Sequence, residues 1–290
     1  MPQTIYLSDL YANQIKLWRH NFTALPKELT RIILIRNKID WIPDSWFDLP
    51  KLEYIGIDAN QISFLSVTNL NPFYGNDSKL VHLNVSNNAI SSLSTGAFSG
   101  LIHLKVLELQ GNNINSIGAK VFHEIPELQH LDLRANRLQS ITAQSSSSPF
   151  ENLPKLQVLI LMQQQASYKT TVVMYNAFKN LPSLRYLWLS GNSLTHFPHP
   201  ALSQESFPSL LHLHLEDNNI NSLSSFSKSA FPPTLEVLHE FLHRNVITNI
   251  QEGDLWLLSN LQELYFSQNK LSNATVHPDA FRNLTSLTTL

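Results

Sequence analysis

The sequence predicts a solenoid of stacked α/β units, and two observations lead to that prediction. Residues 80–104 read LVHLNVSNNAISSLSTGAFSGLIHL, which is the pattern LxxLxLxxNxIxxL followed by xxxxFxxLxxL. The same pattern recurs from near the first residue to the last, with a unit length of about 24 residues that extends to 28 in places. A unit this short cannot bury its own apolar face, so neighbouring copies must stack around one continuous core.

The spacing of the leucines identifies the unit as a leucine-rich repeat, for which we expect a horseshoe. A parallel β-sheet would line its concave face, and short helical or extended segments would form its convex face. One asparagine marks each unit, with a glutamine at the seventh place: Asn13, Asn37, Asn60, Asn88, Asn112, Asn136, Gln164, Asn192, Asn218, Asn245 and Asn269. These residues predict a single array of about eleven units over residues 1–290. Neither end resembles a polar cap, so we expect truncation at the C-terminus, and truncation at the N-terminus stays open.

Asparagines and phenylalanines at fixed places in the unit are interpreted as structural. A buried carboxamide carries donors and an acceptor, and can therefore satisfy the backbone groups that are left unpaired where the chain turns out of a strand. Gln164 has the same chemistry with one more methylene, so we expect a local distortion in its coil. The phenylalanines predict a stacked spine beneath the convex face: Phe47, Phe98, Phe122, Phe150, Phe178, Phe207 and Phe281.

Composition excludes several classes of function. The 290 residues are 43% hydrophobic and carry a net charge of −2, so a continuous core is expected and a basic field for nucleic acid is not. There is no cysteine, which excludes disulfides and thiol catalysis in this chain. No apolar run reaches the roughly 18 residues of a membrane span, and no sequence motif indicates a cofactor.

Period-two alternation identifies the side chains that face a ligand on the concave sheet. In residues 80–88, Leu83 and Val85 point into the core, so His82, Asn84 and Ser86 face the groove. The same offsets in later units predict a partner-binding surface of apolar and aromatic residues: Val158, Ile160, Met162, Tyr186, Trp188, His212, His214 and Tyr265. Residues of this kind, clustered on a surface, are typical of protein interfaces. Two alternatives stay open, namely a cover formed by the inserted loop and a pH-sensitive contact at the histidine pair.

One segment spells the zinc metalloprotease motif HExxH, at residues 239–243. That motif needs a helix, which brings the two histidines one turn apart, with the glutamate as general base. Here the repeat pattern demands a strand, and four residues of strand span roughly 13 Å, too far for two ligands of one zinc. Deleting Glu240 and Phe241 restores a regular unit, so the motif is interpreted as a chance product of a two-residue insertion. A metalloprotease is therefore the remote alternative, and we expect no enzyme and no metal site.

The pattern in residues 80–128 resembles the typical class of extracellular leucine-rich repeat proteins, above all Toll-like receptor ectodomains and chaoptin-like adhesion proteins. The resemblance implies a secreted or cell-surface glycoprotein that binds a protein partner in adhesion or innate-immune recognition, as part of a longer parent. Four sequons are candidate glycosylation sites: Asn21, Asn76, Asn273 and Asn283. An intracellular leucine-rich repeat scaffold or regulatory subunit in the cytoplasm is the alternative, and a homodimer stays open.

Overall fold

Ten short strands, one from each successive turn of the chain, form a single parallel sheet. The computed structural model describes residues 25–65, 78–141, 148–150, 153–164, 172–173, 177–178, 180–196, 207–223, 234, 237–238, 242–256 and 258–290. In order across the sheet the strands are β1 (Arg31–Ile33), β2 (Tyr54–Gly56), β3 (His82–Asn84), β5 (Val106–Glu108), β7 (His130–Asp132), β9 (Val158–Ile160), β11 (Tyr186–Trp188), β12 (His212–His214), β13 (Val237–Leu238) and β14 (Glu263–Leu264). This order confirms the predicted leucine-rich repeat horseshoe.

The opposite wall of the coil contains turns and very short extended segments. Two pairs of two-residue parallel strands lie there, β4 (Ser92–Leu93) with β6 (Ser116–Ile117), and β8 (Ser140–Ile141) with β10 (Val172–Val173). Within the described ranges, the one helix is a 3₁₀ turn at Asp44–Trp46. In the described ranges the convex wall therefore consists of turns and short extended segments.

The central residue of each strand explains why the coils keep one register. Leu107 pairs with Leu83 on one side and Leu131 on the other, and Leu187 pairs with Leu159 and Leu213 in the same way. All of these leucines are at most 1% exposed. Because side chains alternate along a strand, burying the central leucine turns its two strand neighbours toward the concave groove.

A row of phenylalanines runs through the core behind the sheet. Phe98, Phe122, Phe150, Phe178 and Phe207 are buried, and the ring centroids of successive members are 5.7 to 5.9 Å apart. The predicted spine is confirmed over these five coils. At its two ends, Phe47 is buried as well, whereas Phe281 is only partly buried and contacts Phe266 edge to face.

The asparagine ladder joins each coil to the preceding one. The Nδ2 group of Asn88 donates to the carbonyls of Val85 and Ser86 in its own coil and to that of Ile57 one coil earlier, at 3.0 to 3.1 Å. Its Oδ1 accepts a hydrogen bond of 2.9 Å from the amide of Ile62. Equivalent bonds are made by Asn60, Asn112, Asn136, Asn218, Asn245 and Asn269. The structural role predicted for these residues is confirmed.

Gln164 continues the ladder without interruption. Its Nε2 donates to Leu133 O at 2.9 Å and to Leu161 O at 3.2 Å, and its Oε1 accepts from the amide of Leu138 at 3.2 Å. The preceding residue, Gln163, has φ 57°, which is close to the value in other coils. The expected distortion of this coil is wrong, because the longer side chain reaches the same partners.

The residue before each ladder position adopts a left-handed backbone conformation. Its φ lies between 49° and 68° in ten coils, at Arg36, Ala59, Asn87, Gly111, Ala135, Gln163, Gly191, Asp217, Arg244 and Gln268. Residues other than glycine disfavour this region, at a cost of about 1–2 kcal/mol. The sharp exit from each strand is thus stabilised by the hydrogen bonds of the ladder rather than by local preference.

Candidate protein-binding surface

The concave face is formed by the first and third residues of each strand and by the residue two positions further on. From β7 to β12 the first positions are occupied by His130, Val158, Tyr186 and His212, and the third positions by Asp132, Ile160, Trp188 and His214. Except for Asp132, which is buried, all of these side chains are partly exposed. The face is mainly polar from β3 to β7, apart from Val106, and is apolar and aromatic from β9 to β12.

Seven partly exposed residues of β9, β11 and β12 form one surface, which we call the aromatic patch: Val158, Ile160, Met162, Tyr186, Trp188, His212 and His214. The strands pair in register, with Tyr186 between Val158 and His212, and with Trp188 between Ile160 and His214. The structure therefore brings together seven of the eight residues predicted to bind a partner.

The four rings of the aromatic patch stack against one another. Tyr186 and His212 are nearly parallel, at a centroid distance of 4.5 Å, and Trp188 and His214 lie 4.9 Å apart at an angle of 7°. Tyr186 and Trp188 also lie nearly parallel, 5.6 Å apart along the strand. Since the spacing between rings on adjacent strands is close to the strand spacing itself, the rings stand upright on the sheet. Their edges therefore face the groove, and the stacking holds the rings in this orientation.

Tyr265, the eighth predicted residue, lies apart from the aromatic patch. It follows β14 directly, so the coil of β13 separates it from His214. It lines a cavity of about 360 Å³ with seven other residues, among them Phe266, Leu271 and Phe281. Its assignment to the same surface stays a prediction.

A second surface, which we call the polar patch, lies on β2 to β7 and comprises Asp58, His82, Asn84, Ser86, Glu108, Gln110, His130, Asp132 and Arg134. Nε2 of His82 lies 3.4 Å from Oε1 of Glu108, and this contact is the main reason that the pKa of Glu108 is lowered. Arg134 contacts Asp132 through Nε at 2.8 Å and Nη2 at 2.7 Å. Burial lowers the pKa of His130, although Asp132 and Glu108 oppose the effect.

The sequence did not indicate two features of this half of the groove. Tyr54 folds over Gly56, where an added Cβ would meet the tyrosine ring at 2.8 Å, and the guanidinium of Arg31 lies 4.3 Å above that ring. Ser86 is only 1% exposed despite its place on the concave face. Inspection of Gly56, with a tyrosine two residues before it, could have suggested the first feature. The second depends on how neighbouring side chains fill the groove.

The HExxH segment falls at an irregularity of the coil. Residues 239–241 lie outside the described part of the chain, β13 ends at Leu238, and Leu238 pairs with Leu264. Leu242 is 2% exposed, and Asn245 occupies its ladder position, with Ile220 N at 2.9 Å from its Oδ1. Asn245 follows Leu238 by seven positions, whereas the ladder residue at position 269 follows Leu264 by five. The two additional residues therefore lie between Leu238 and Leu242.

The two described residues of the HExxH segment, Leu242 and His243, form part of the repeat structure. Residues 242–245 form a turn, and Nδ1 of His243 lies 2.6 Å from Oγ of Ser267 in the next coil. Over the ranges that the structure describes, no group of three or more His, Asp or Glu residues could hold a metal ion.

Candidate glycosylation sites differ in their surroundings. Asn273 is exposed and Asn283 is partly buried, while Asn21 and Asn76 lie outside the described residues. Asn84, in a further sequon, lies on β3 in the groove, where its Oδ1 accepts a 3.0 Å hydrogen bond from Ser86 N.

Comparison with known proteins finds the repeat in both sequence and structure. The leucine rich repeat family model matches residues 78–138, and a second model of the same description matches residues 183–204 and 260–284. No curated protein matches the chain in sequence. These matches agree with the leucine-rich repeat fold of the structure.

Similar solved structures come from animal and bacterial proteins. A chain of the octameric complex of latrophilin 3, Unc5D and FLRT2, whose leucine-rich repeat component is FLRT2, is 24% identical with a TM-score of 0.68, and the match covers 91% of this chain and 76% of that one. A chain of the Drosophila Toll–Spätzle complex is 21% identical with a TM-score of 0.67, over 91% of this chain and 37% of that one. An internalin of Listeria monocytogenes is 24% identical, with a TM-score of 0.60, over 91% and 67%.

These likenesses bear out the resemblance to leucine-rich repeat ectodomains at the level of the fold. The chain spans little more than a third of the Toll-complex chain that it matches. In the part of the chain that the structure describes, no helix has the length and apolar character that a membrane crossing requires.

Proposed function

We propose that this chain is a non-catalytic module that binds a protein partner through its concave face. The observation that carries the proposal is the aromatic patch, in which four stacked rings and three aliphatic side chains stay partly exposed on adjacent strands. Clustered tyrosine, tryptophan and aliphatic side chains are typical of the centres of protein interfaces. Stacking limits their motion, so little side-chain entropy would be lost on binding.

The finer assignment is a cell-surface or secreted protein in adhesion or innate-immune recognition. It is supported by the resemblance to leucine-rich repeat ectodomains and by exposed Asn273 in a sequon. Both FLRT2 and Toll occur in protein complexes. The alternative is an intracellular scaffold of the same architecture.

The test is a binding screen of the tagged chain against a panel of purified ectodomains and a panel of cytosolic proteins. Trp188→Ala should weaken the affinity of a true partner at least about tenfold, the effect typical of an interface centre. Trp256→Ala is the matched control, because Trp256 is 42% exposed in the return segment after β13 and off the concave face. It should leave affinity unchanged.

Three outcomes would contradict parts of the proposal. A partner that binds wild type and Trp188→Ala equally would exclude the concave aromatic patch. Specific binding in the cytosolic panel alone would favour the scaffold. Concentration-dependent dimerisation that Trp188→Ala abolishes, detected by sedimentation, would make a second copy of the chain the partner.

A further inference from the structure

We propose that the polar patch receives a positively charged side chain, arginine or lysine, of the protein that binds the aromatic patch. The inference rests on the proposed function and deepens it by stating the chemistry of the partner. Its evidence is independent of the aromatic patch, since it comes from the hydrogen-bonding groups of β2, β3 and β5.

This part of the groove contains buried polar atoms without hydrogen-bond partners among the described residues. Oγ of Ser86 and Oε1 of Gln110 are buried and have no hydrogen-bond partner among the residues that the structure describes. They occupy equivalent positions in successive coils, two residues before ladder asparagines 88 and 112, and Asp58 occupies that position in the coil before them. Glu108 lies two residues before Gln110 and on the same face. A carboxylate and an amide oxygen can only accept, so the complementary ligand is a donor.

The positive groups in and beside the patch are already engaged. Both nitrogen contacts of Arg134 go to Asp132, and Arg31 lies over the ring of Tyr54. Arg36 acts on Asp58, but its effect on the pKa of that carboxyl is weaker than the opposing effect of Glu108. Burial is the largest cause of the raised pKa of Asp58, and repulsion from Glu108 adds to it. A cation between the two carboxylates would relieve that repulsion.

His82 lies beside the proposed cation position, with its Nε2 3.4 Å from Oε1 of Glu108. Burial lowers the pKa of His130 and raises the pKa of Asp58. Acidification adds positive charge at His130 and removes negative charge at Asp58, so both groups weaken cation binding as pH falls.

The distance between the two patches sets the form of the partner. From β5 to β9 the sheet advances by two strands, or about 10 Å, and from β2 to β12 by six strand steps, or about 29 Å. One extended segment or one protruding loop can span this distance. We therefore expect a basic residue and apolar residues on the same segment of the partner.

The test uses a phage-displayed library of random 12-residue peptides, selected on wild-type protein. Selected peptides should be enriched in arginine or lysine beside apolar residues. Selection on the double variant Asp58→Asn, Glu108→Gln should lose the basic enrichment and keep the apolar one. The matched control is Glu124→Gln, Glu252→Gln, which neutralises two exposed carboxylates elsewhere and should select the same peptides as wild type.

A selected peptide then tests the contact itself. Replacing its arginine by citrulline, which keeps the shape and removes the charge, should weaken binding to wild type about tenfold or more. On the double variant the same replacement should change little, and on wild type the arginine preference should shrink between pH 8 and pH 5.5. Circular dichroism verifies that the double variant is folded.

Each remaining outcome separates this inference from the proposed function. Peptides that depend on Trp188 but show no basic enrichment would overturn the proposed cation-binding role of the polar patch. The proposal that the aromatic patch binds a protein would still stand. An arginine preference that survives in the double variant would place the cation elsewhere. If spermidine binds with the affinity of the peptide, the patch serves a free polyamine and the proposal is wrong.

Discussion

Removal of the carboxamide of Asn136 tests how much the ladder contributes to stability. Asn136 is fully buried; its Nδ2 donates to Leu133 O at 2.9 Å, Leu109 O at 3.0 Å and Arg134 O at 3.3 Å, and its Oδ1 accepts from Ile114 N at 3.0 Å. Two N–H groups and one acceptor amount to about three hydrogen bonds. At about 1 kcal/mol each, Asn136→Ala should lower the free energy of unfolding by about 3 kcal/mol.

Urea denaturation followed by circular dichroism measures this change, with two comparison variants. Asn136→Gln should cost less than half as much as Asn136→Ala, since Gln164 makes the equivalent bonds in its own coil. Asn219→Ala, at an exposed position, should stay within about 0.5 kcal/mol of wild type. If Asn136→Ala costs no more than Asn219→Ala, the ladder is a geometric coincidence and our account of coil stacking is refuted.

Three further predictions concern the core, the backbone and the groove. Phe122→Ala should cost about 3–5 kcal/mol, because the ring is fully buried between two others, whereas Phe64→Ala at a 59% exposed side chain should be nearly neutral in the same urea experiment. Ala135→Gly should raise stability by about 0.5–1 kcal/mol in thermal melts, since φ at this position is 51°. Ala89→Gly, two coils earlier, should lower stability or leave it unchanged. The opposite order would contradict the strain that we infer at residue 135. Burial lowers the pKa of His130 in the folded state, so the unfolded chain binds this proton first as the pH falls. The free energy of unfolding should therefore decrease as the pH drops below about 6.5. The decrease between pH 7 and pH 5 should be smaller in His130→Gln, and an equal decrease would exclude His130 as its source.

Periodicity was sufficient to predict the coil, because the same few side chains perform the same task in every unit. Leu83 and its equivalents determine register, and a one-residue slip would expose the entire row. The ladder asparagines and the phenylalanine spine followed from the same argument. At Gln164 the predicted distortion is wrong, because a side chain with one more methylene still reaches Leu133 and Leu161.

The candidate site was predictable only in part, since it depends on contacts that the repeat does not dictate. Alternation placed Tyr186, Trp188 and His212 on one face, but the near-parallel stacking of their rings depends on rotamers chosen in the folded groove. Burial of Ser86 similarly depends on the side chains of adjacent coils. The separation of Tyr265 from His214, by contrast, could be predicted, because the ladder positions already place the coil of Asn245 between them.

The ladder also gives the coil a direction. Asn88 completes the backbone of the coil before it, through Ile57 O and Ile62 N, and Asn112 does the same for the coil of Asn88 through Val85 O and Ile90 N. Each turn thus depends on its successor for closure. Under mechanical tension, coils should therefore detach one at a time from the end that is pulled, and each step of 24 to 28 residues should release roughly 8–10 nm of chain. The length of the molecule under force would therefore increase in steps of similar size.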